Sequence, residues 1–416
     1  MPFQRSYNAS HRCRDAISRS TSLRSEPLPT ATRFCTDGYD GVMPTYRILI
    51  IGAYGQFGRR IACELARHES MCVLVAGRSL ESAEELASAL RHGGAAAQVM
   101  PTTLDVEASS LAFNLARLEP DLVIHAAGPF QQRDYRVAEA ALACGAHYID
   151  LADGREFVAG IDRLDAAARA RQRWVISGAS SVPGLSAAVV EAHRSGFAQL
   201  QWVESAICPG NRTARGLATT QAILGYVGRP FPALIEGKWQ TVHGWQSLRR
   251  IQPHGVGRRW VARCDVPDLT VLPTRYPELQ HCDFRAGMEL RRMHFGLWLA
   301  SWPVRARLFP GLDRWACPLL KASQWWLQSG SDTGVMTVQM RGRGHDGESK
   351  QVTWQIVAAD GSGPQIPATA AVVLARKLAR SALPGNGAKP CLDLFTLEEF
   401  MQALEPFLIR ASTQVN

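Results

Sequence analysis

An unbroken apolar run of about eighteen residues, the minimum for a helix that crosses a bilayer, occurs nowhere in this 416-residue chain. No C-x-x-C pair is present. Ten scattered cysteines in a chain of this size speak against a zinc ribbon and against a disulfide-stapled secreted scaffold. They fit unpaired thiols in a reducing compartment, and a cytoplasmic location is expected. His-Glu-x-x-His and comparable ligand spacings are missing, so no metal is expected. The lack of a Gly-x-Ser-x-Gly elbow counts against a hydrolase triad around Ser180 and Ser181. No tyrosine is followed by lysine four positions later, which removes the acid–base pair of ordinary short-chain dehydrogenases. Zinc-finger spacing, an RNP motif and a basic region with heptads are also missing, so no nucleic-acid partner is expected.

What is present is a chain with 46% hydrophobic and 20% charged residues, enough to bury real cores and long enough for two or three domains. Lys and Arg outnumber Asp and Glu by 46 to 37. The excess gathers in residues 241–330, where thirteen basic side chains face six acids. Attraction to an anionic substrate or acidic surface and a solvated arginine-rich surface both remain open. Residues 1–36 hold six arginines and two acids with no long apolar stretch, so no secretory signal is expected. Met43 stands just before the first strand-like run, and 1–43 are expected to be a disordered extension or to precede the true start.

From Arg47 short apolar runs alternate with amphipathic stretches. Strands are predicted at 47–52, 72–77, 97–104, 121–126, 148–150 and 173–178. Helices are predicted near 55–68, 80–92, 108–118, 135–144 and 157–171. Continuous apolar strands alternating with helices mean an α/β fold with a parallel sheet covered on both faces, in the Rossmann-like doubly wound order. Beyond Ser180 a strand is predicted at 201–208, a helix at 217–227, a hairpin at 334–343 and 351–359, and helices at 368–380 and 397–404. The expected organisation is a NAD(P)-binding domain over 44–180, a mixed α+β substrate and closure domain over 181–365, and C-terminal helices over 366–416 that return to the first domain.

The densest local signal is Ile48-Leu49-Ile50-Ile51-Gly52-Ala53-Tyr54-Gly55-Gln56-Phe57-Gly58. It reads strand, three glycines, helix. Gly52 permits a tight turn, Gly55 lets a phosphate approach the backbone, and Gly58 lets the helix lie close to the sheet. At the end of the second strand, where NAD-binding folds usually place an acid, the chain has Arg78 and Ser79. A guanidinium can grip a 2′-phosphate, so NADP is expected in preference to NAD. A solvated arginine at a strand end is the plainer alternative. Asp105 after the third strand and Ala126-Ala127-Gly128-Pro129 after the fourth complete the expected cofactor site.

With these residues the chain resembles the saccharopine dehydrogenase-like NADP-binding oxidoreductases. The likeness rests on the glycine loop, Ala76-Gly77-Arg78, Ala127-Gly128-Pro129-Phe130, Gly145-Ala146-His147-Tyr148-Ile149-Asp150-Leu151 and Ser180-Ser181-Val182-Pro183-Gly184. Gly330-Ser331-Asp332, Gly363-Pro364-Gln365-Ile366-Pro367 and Pro390-Cys391 extend it. It implies NADP-linked hydride transfer to or from a small or amphipathic carbonyl, imine or enoyl compound, carboxylate-bearing or apolar. Some members look like lipid enoyl reductases, and a lipid enoyl reductase associated with the membrane surface is an alternative function for the chain. One departure is Asp150-Leu151-Ala152-Asp153-Gly154-Arg155-Glu156, where the family pattern runs Asp-Leu-x-Gly-Glu.

Tyr148 and Asp150 are the candidate proton-handling residues, with His147 adjacent; a packed strand aromatic is the alternative for Tyr148. His125 reads as a hydrogen-bonded core residue. A non-catalytic NADP-binding redox sensor of the NmrA type is the competing function. Trp298, Trp302, Trp315, Trp325 and Trp326, interleaved with Arg305, Arg307, Arg314 and Lys321, fit an interfacial patch or an apolar pocket wall. Core packing or a homodimer contact is the alternative.

Overall fold

The computed structural model describes residues 45–416, so the expectation for 1–43 lies outside the described residues. Six aliphatic runs form parallel strands: β1 (Tyr46–Ile51), β2 (Met71–Gly77), β3 (Gln98–Thr103), β4 (Leu122–His125), β5 (His147–Asp150) and β6 (Trp174–Ser177). Between and after them run α1 (Gly58–Leu65), α2 (Leu80–His92), α3 (Leu111–Leu118), α4 (Arg136–Ala143), α5 (Arg155–Ala159) and α6 (Asp165–Ala170). The sheet order is β3-β2-β1-β4-β5-β6, extended by a seventh parallel strand, Gly387–Pro390. This is the α/β, doubly wound order.

Alternate residues of each strand serve opposite layers. Ile48, Ile50, Val73 and Val75 share a core with Ile61 and Leu65 of α1 and Leu86 of α2. Leu49, Ile51, Leu74 and Val123 pack with Leu111 and Leu115 of α3 and Val137 of α4. Burial on both faces is why these strands carry no polar alternation. The single helix predicted at 157–171 is instead α5, a 3₁₀ turn at Ile161–Leu164 and α6. The chain breaks at Gly160, the weakest helix former in the run.

The rest of the chain supplies α7 (Ser186–Arg194), β7 (Gln199–Cys208), α8 (Leu217–Tyr226), β8 (Pro230–Ile235), β9 (Lys238–His243), β10 (Arg249–Ile251), β11 (Arg259–Arg263), α9 (Asp268–Arg275), β12 (His281–Gly287), α10 (Arg291–Arg305), α11 (Ala316–Gln324), β13 (Gly334–Arg343), β14 (Ser349–Ala358), α12 (Gln365–Ala379), β15 (Gly387–Pro390), α13 (Leu397–Leu404) and β16 (Ile409–Val415). A second, mixed sheet runs β10-β11-β12-β7-β13-β14-β16, with the β8–β9 hairpin attached at β12. Val203, Cys282, Phe284, Val338 and Trp354 make one face apolar. The segment 366–416 is not helical throughout: β15 joins the first sheet and β16 the second. α12 packs on α1, buried for most of its length, and Arg376 lies 3.7 Å from Glu64.

Asp268, at the first turn of α9, is 2% exposed and neither carboxylate oxygen finds a hydrogen-bond donor. Burial pushes its pKa up to about 7 from an ordinary 3.8. The raised folded-state value means the folded form holds its proton longer than the unfolded chain. The resulting stability is full below the unfolded pKa and is lost as pH rises through about 7. Asp268→Asn removes that loss. Its melting temperature should match wild type near pH 4 and exceed it near pH 8, a gain on the order of 2–4 kcal/mol. Thermal unfolding across pH checks this; parallel curves for the two proteins would refute it.

Candidate cofactor and substrate cleft

The glycine loop leaves β1 with Gly52 in the left-handed region, φ +79°. The turn brings the Gly52 carbonyl over α1 so closely that a Cβ on Gly58 would lie 2.2 Å from it. A side chain at either position would displace the loop. No described residue accepts a hydrogen bond from the backbone amides of Gln56 or Phe57, and α1 has no side-chain cap. Unspent amides at the positive end of a helix, with no Cβ in the way, fit a pyrophosphate. The donor set therefore suits a dinucleotide.

Tyr54 does not lie open above this cradle. Its ring packs over the end of β2 at Gly77, and its hydroxyl accepts from the Ser79 amide at 3.1 Å. The loop is thereby tied to the strand end that carries Arg78. Arg78 is exposed and pairs with no acid among the described residues. The Ser79 hydroxyl is committed as the N-cap of α2, accepting from the Ser82 amide at 3.1 Å. Asp105 is exposed beyond β3 and accepts from the Glu107 amide at 3.0 Å. Ala126 hydrogen-bonds to the Ile51 carbonyl, and Ala127 lies at 3.0 Å from where a Gly52 Cβ would stand. The structure thus brings the loops after β1, β2 and β4 to one edge of the sheet, with Gly128 and Pro129 following.

The second sheet's domain covers this edge. Gln56 donates to the Ala214 carbonyl at 2.6 Å, and Ala218 in the first turn of α8 approaches Gly128. Arg155 crosses below, reaching Asp265 at 3.0 Å, the Pro232 carbonyl at 2.7 Å and the Thr270 hydroxyl. Between these two ties lies a polar trio absent from the sequence reading. Gln131 Nε2 donates to Asp153 Oδ1 at 3.0 Å and to the Tyr226 hydroxyl oxygen at 2.7 Å. Gln131 follows β4, Asp153 follows β5 and Tyr226 ends α8. Burial pushes the Asp153 carboxyl up, and burial beside Asp153 pushes the Tyr226 phenol far up. The departure at Asp153 was a usable signal; Gln131 and Tyr226 gave none, because their meeting spans 95 positions.

Tyr148 and Asp150 lie beneath this floor, both without accessible surface. The Tyr148 hydroxyl is 3.1 Å from His125 Nδ1. Asp150 Oδ1 accepts from the Ala152 and Gly178 amides and from Ser177 Oγ. Burial pushes the Asp150 carboxyl up to about 6 and the His125 imidazole down to about 4. His125 also borders a cavity of about 130 Å³ with Ala127, Pro129 and Phe130. His147 faces elsewhere and accepts from the Trp174 amide.

A second charged group sits on the polar face of the other sheet. Glu204, His281 and Asp283 place ligand-type atoms within 4.8 Å of one another. Arg249 pairs with Glu204, while Arg263 and Arg285 meet Asp283 at 3.3 and 2.7 Å. Three guanidiniums on two carboxylates leave no surplus negative charge to hold a cation.

Residues 48–178 match the family model described as the saccharopine dehydrogenase NADP binding domain. This segment is a saccharopine dehydrogenase-type NADP-binding domain. Among solved structures, apo saccharopine dehydrogenase (L-Glu forming) from Saccharomyces cerevisiae superposes with a TM-score of 0.62. It is 14% identical and covers 89% of this chain and 100% of its own. An amine dehydrogenase from Mycobacterium smegmatis gives a TM-score of 0.45 at 11% identity, over 85% of this chain and 95% of its own. No curated protein matches the chain in sequence. The whole chain therefore shares the fold of the yeast enzyme, Rossmann-like with a second domain. Among the described residues no helix is long and apolar enough to cross a membrane.

Proposed function

We propose that this NADP-binding, saccharopine dehydrogenase-like chain is an oxidoreductase that moves a hydride to or from a small or amphipathic carbonyl, imine or enoyl compound. The observation that carries the reading is the unspent amide cradle of Gln56 and Phe57, flanked by the unpaired Arg78 and tied to the second domain through Gln56 and the Ala214 carbonyl. NADPH bound here would supply the hydride, and NADP+ would accept it in the reverse direction. The amides of the loop would hold its pyrophosphate, and Arg78 its 2′-phosphate. Gly52, Ala53, Tyr54, Gly55 and Gly58 shape the loop, Ala126, Ala127, Gly128 and Pro129 form the neighbouring wall, and Asp105 and Ser79 close the adenosine end.

The proton belongs to Tyr226. Gln131 donates to the phenol oxygen, so the phenol hydrogen stays free for a substrate oxygen or nitrogen. Asp153 fixes Gln131, and burial, with Asp153 beside it, keeps the phenol protonated. Tyr148 and Asp150, sealed below, act as support: Asp150 holds the turn after β6 and Tyr148 holds His125. The tie between Gln131 and Tyr226 favours an enzyme over an NADP sensor, since a sensor has no use for a proton donor positioned across the cleft.

Calorimetry of the folded chain with NADPH and NADH tests the cofactor half. NADPH should bind more tightly, and Arg78→Asp should cut that preference by about 1–3 kcal/mol, the value of a hydrogen bond to a charged group. An unchanged ratio of the two affinities removes Arg78 from the site. Nucleotide oxidation with a panel of imines, ketones and enoyl thioesters tests the chemistry.

A further inference from the structure

We propose that the segment spanning α10 and α11 is a docking surface for an anionic lipid bilayer. Each of its helices buries one face against the body of the protein and leaves large apolar side chains on the other, where a surface helix is ordinarily polar. In α10, His294, Trp298, Ser301 and Val304 face inward, toward Trp245, Gln246 and the second sheet. On the outer side Leu299 and Trp302 are exposed, while Phe295 is half-buried against Trp260. In α11, Ala316 and Ser323 are buried, while Trp315, Leu319 and Trp326 form the outer stripe. The loop between adds Leu308, 76% exposed, and the turn after α11 adds Trp325, 82% exposed. Arg292 stacks on the Trp326 ring, joining the start of α10 to the end of α11, and Arg305 stacks on Trp302 within α10.

A core gains nothing from large rings left in water, and so many exposed large apolar side chains in one segment mark an interaction surface. Its charge selects the partner. Residues 291–328 hold Arg291, Arg292, Arg305, Arg307, Arg314 and Lys321 against a single acid, Asp313, which already pairs with Arg229. A twofold contact between two copies sets a patch against itself, cation facing cation, at a cost of several kcal/mol. An anionic bilayer supplies the opposite sign, at about 1 kcal/mol per basic residue near the surface. Trp is the side chain suited to the headgroup level, and arginine snorkels beside it. The chain then lies on the bilayer without spanning it.

Flotation of the full chain with vesicles made of equal parts phosphatidylcholine and phosphatidylglycerol, against pure phosphatidylcholine, provides the test. The chain should float with the mixed vesicles at least about tenfold more than with the neutral ones, and about 1 M salt should release it. Trp302→Ser with Trp325→Ser, and separately Arg307→Glu with Arg314→Glu, should each lower binding at least about tenfold. All four side chains are exposed, so the melting temperature and NADPH affinity should not change. Tryptophan fluorescence should shift to the blue on vesicle addition in wild type alone. Failure to float, or flotation untouched by both double variants, overturns the proposal. So does a concentration-dependent dimer dispersed by the tryptophan substitutions without vesicle binding, which would mean a second copy covers the patch. None of these readouts depends on the redox assignment.

Discussion

Gly58→Ala is expected to abolish tight NADPH binding while the sheet stays folded. The new methyl carbon would stand 2.2 Å from the Gly52 carbonyl oxygen and 2.9 Å from the Ala53 Cα, both backbone, with no flexible side chain to yield. The loop must rise off α1, and the amides of Gln56 and Phe57 turn away from a shared anion. Each hydrogen bond to a charged group contributes about 1.5–3 kcal/mol, so losing two lowers affinity on the order of 10²–10⁴-fold. Gly296→Ala is the matched control: nothing lies within 4 Å of its added carbon, and the helix tolerates it. Calorimetry with NADPH, alongside circular dichroism, separates lost binding from lost fold. Should Gly58→Ala fail to fold, Gly55→Ala is the gentler probe, with its Cβ 3.0 Å from the Gly52 oxygen. Full affinity in both variants would place the phosphates elsewhere.

The central strands β1, β2 and β4 were legible because they are buried on both faces and so read as continuous aliphatic runs. The glycine loop was legible because steric demand restricts the residue type at each of its turns. The long α12 and the capped α13, where Thr396 and Glu399 satisfy each other's backbone, also stood out. The second sheet was legible only at β7 and the β13–β14 hairpin, which alternate apolar and polar residues. Its edge strands were not: β8 begins at a proline, β10 has three residues, and β11 carries arginines at both ends. Their pairing is decided by β12 and by Arg263 and Arg285 finding Asp283, a tertiary arrangement without a local period. β15 and β16 were hidden likewise, since each borrows its sheet from a distant part of the chain.

The site divides along the same line. Cofactor-loop positions follow from local geometry, and Ser79 could also have been read as a cap from Ser82 three residues on. Tyr148 drew attention because it stands at a strand end. In a sheet covered on both sides, however, alternate positions point into the helix layers, and Tyr148 shares its side with Val123 and Val175. Exposure at a strand end belongs to the residues that follow the strand, which is where Gln131 and Asp153 stand.

Tyr226→Phe is accordingly expected to lower kcat by about 10²-fold or more, the usual contribution of a positioned general acid. NADPH affinity should not move, because the phenol touches Gln131 and not the loop after β1. Removing one oxygen leaves the ring in its buried place on α8, so stability should change by no more than the about 1 kcal/mol of one hydrogen bond. Asp153→Asn tests the same device from the other side. Burial, with Asp153 beside it, holds the Tyr226 phenol protonated, and Asp153 fixes Gln131 against its oxygen. Asp153→Asn loosens that hold, so kcat should fall while NADPH affinity stays unchanged. A role confined to packing would lower stability and leave kcat in place. Loss of turnover in Tyr148→Phe with none in Tyr226→Phe would return the proton to the buried pair at His125.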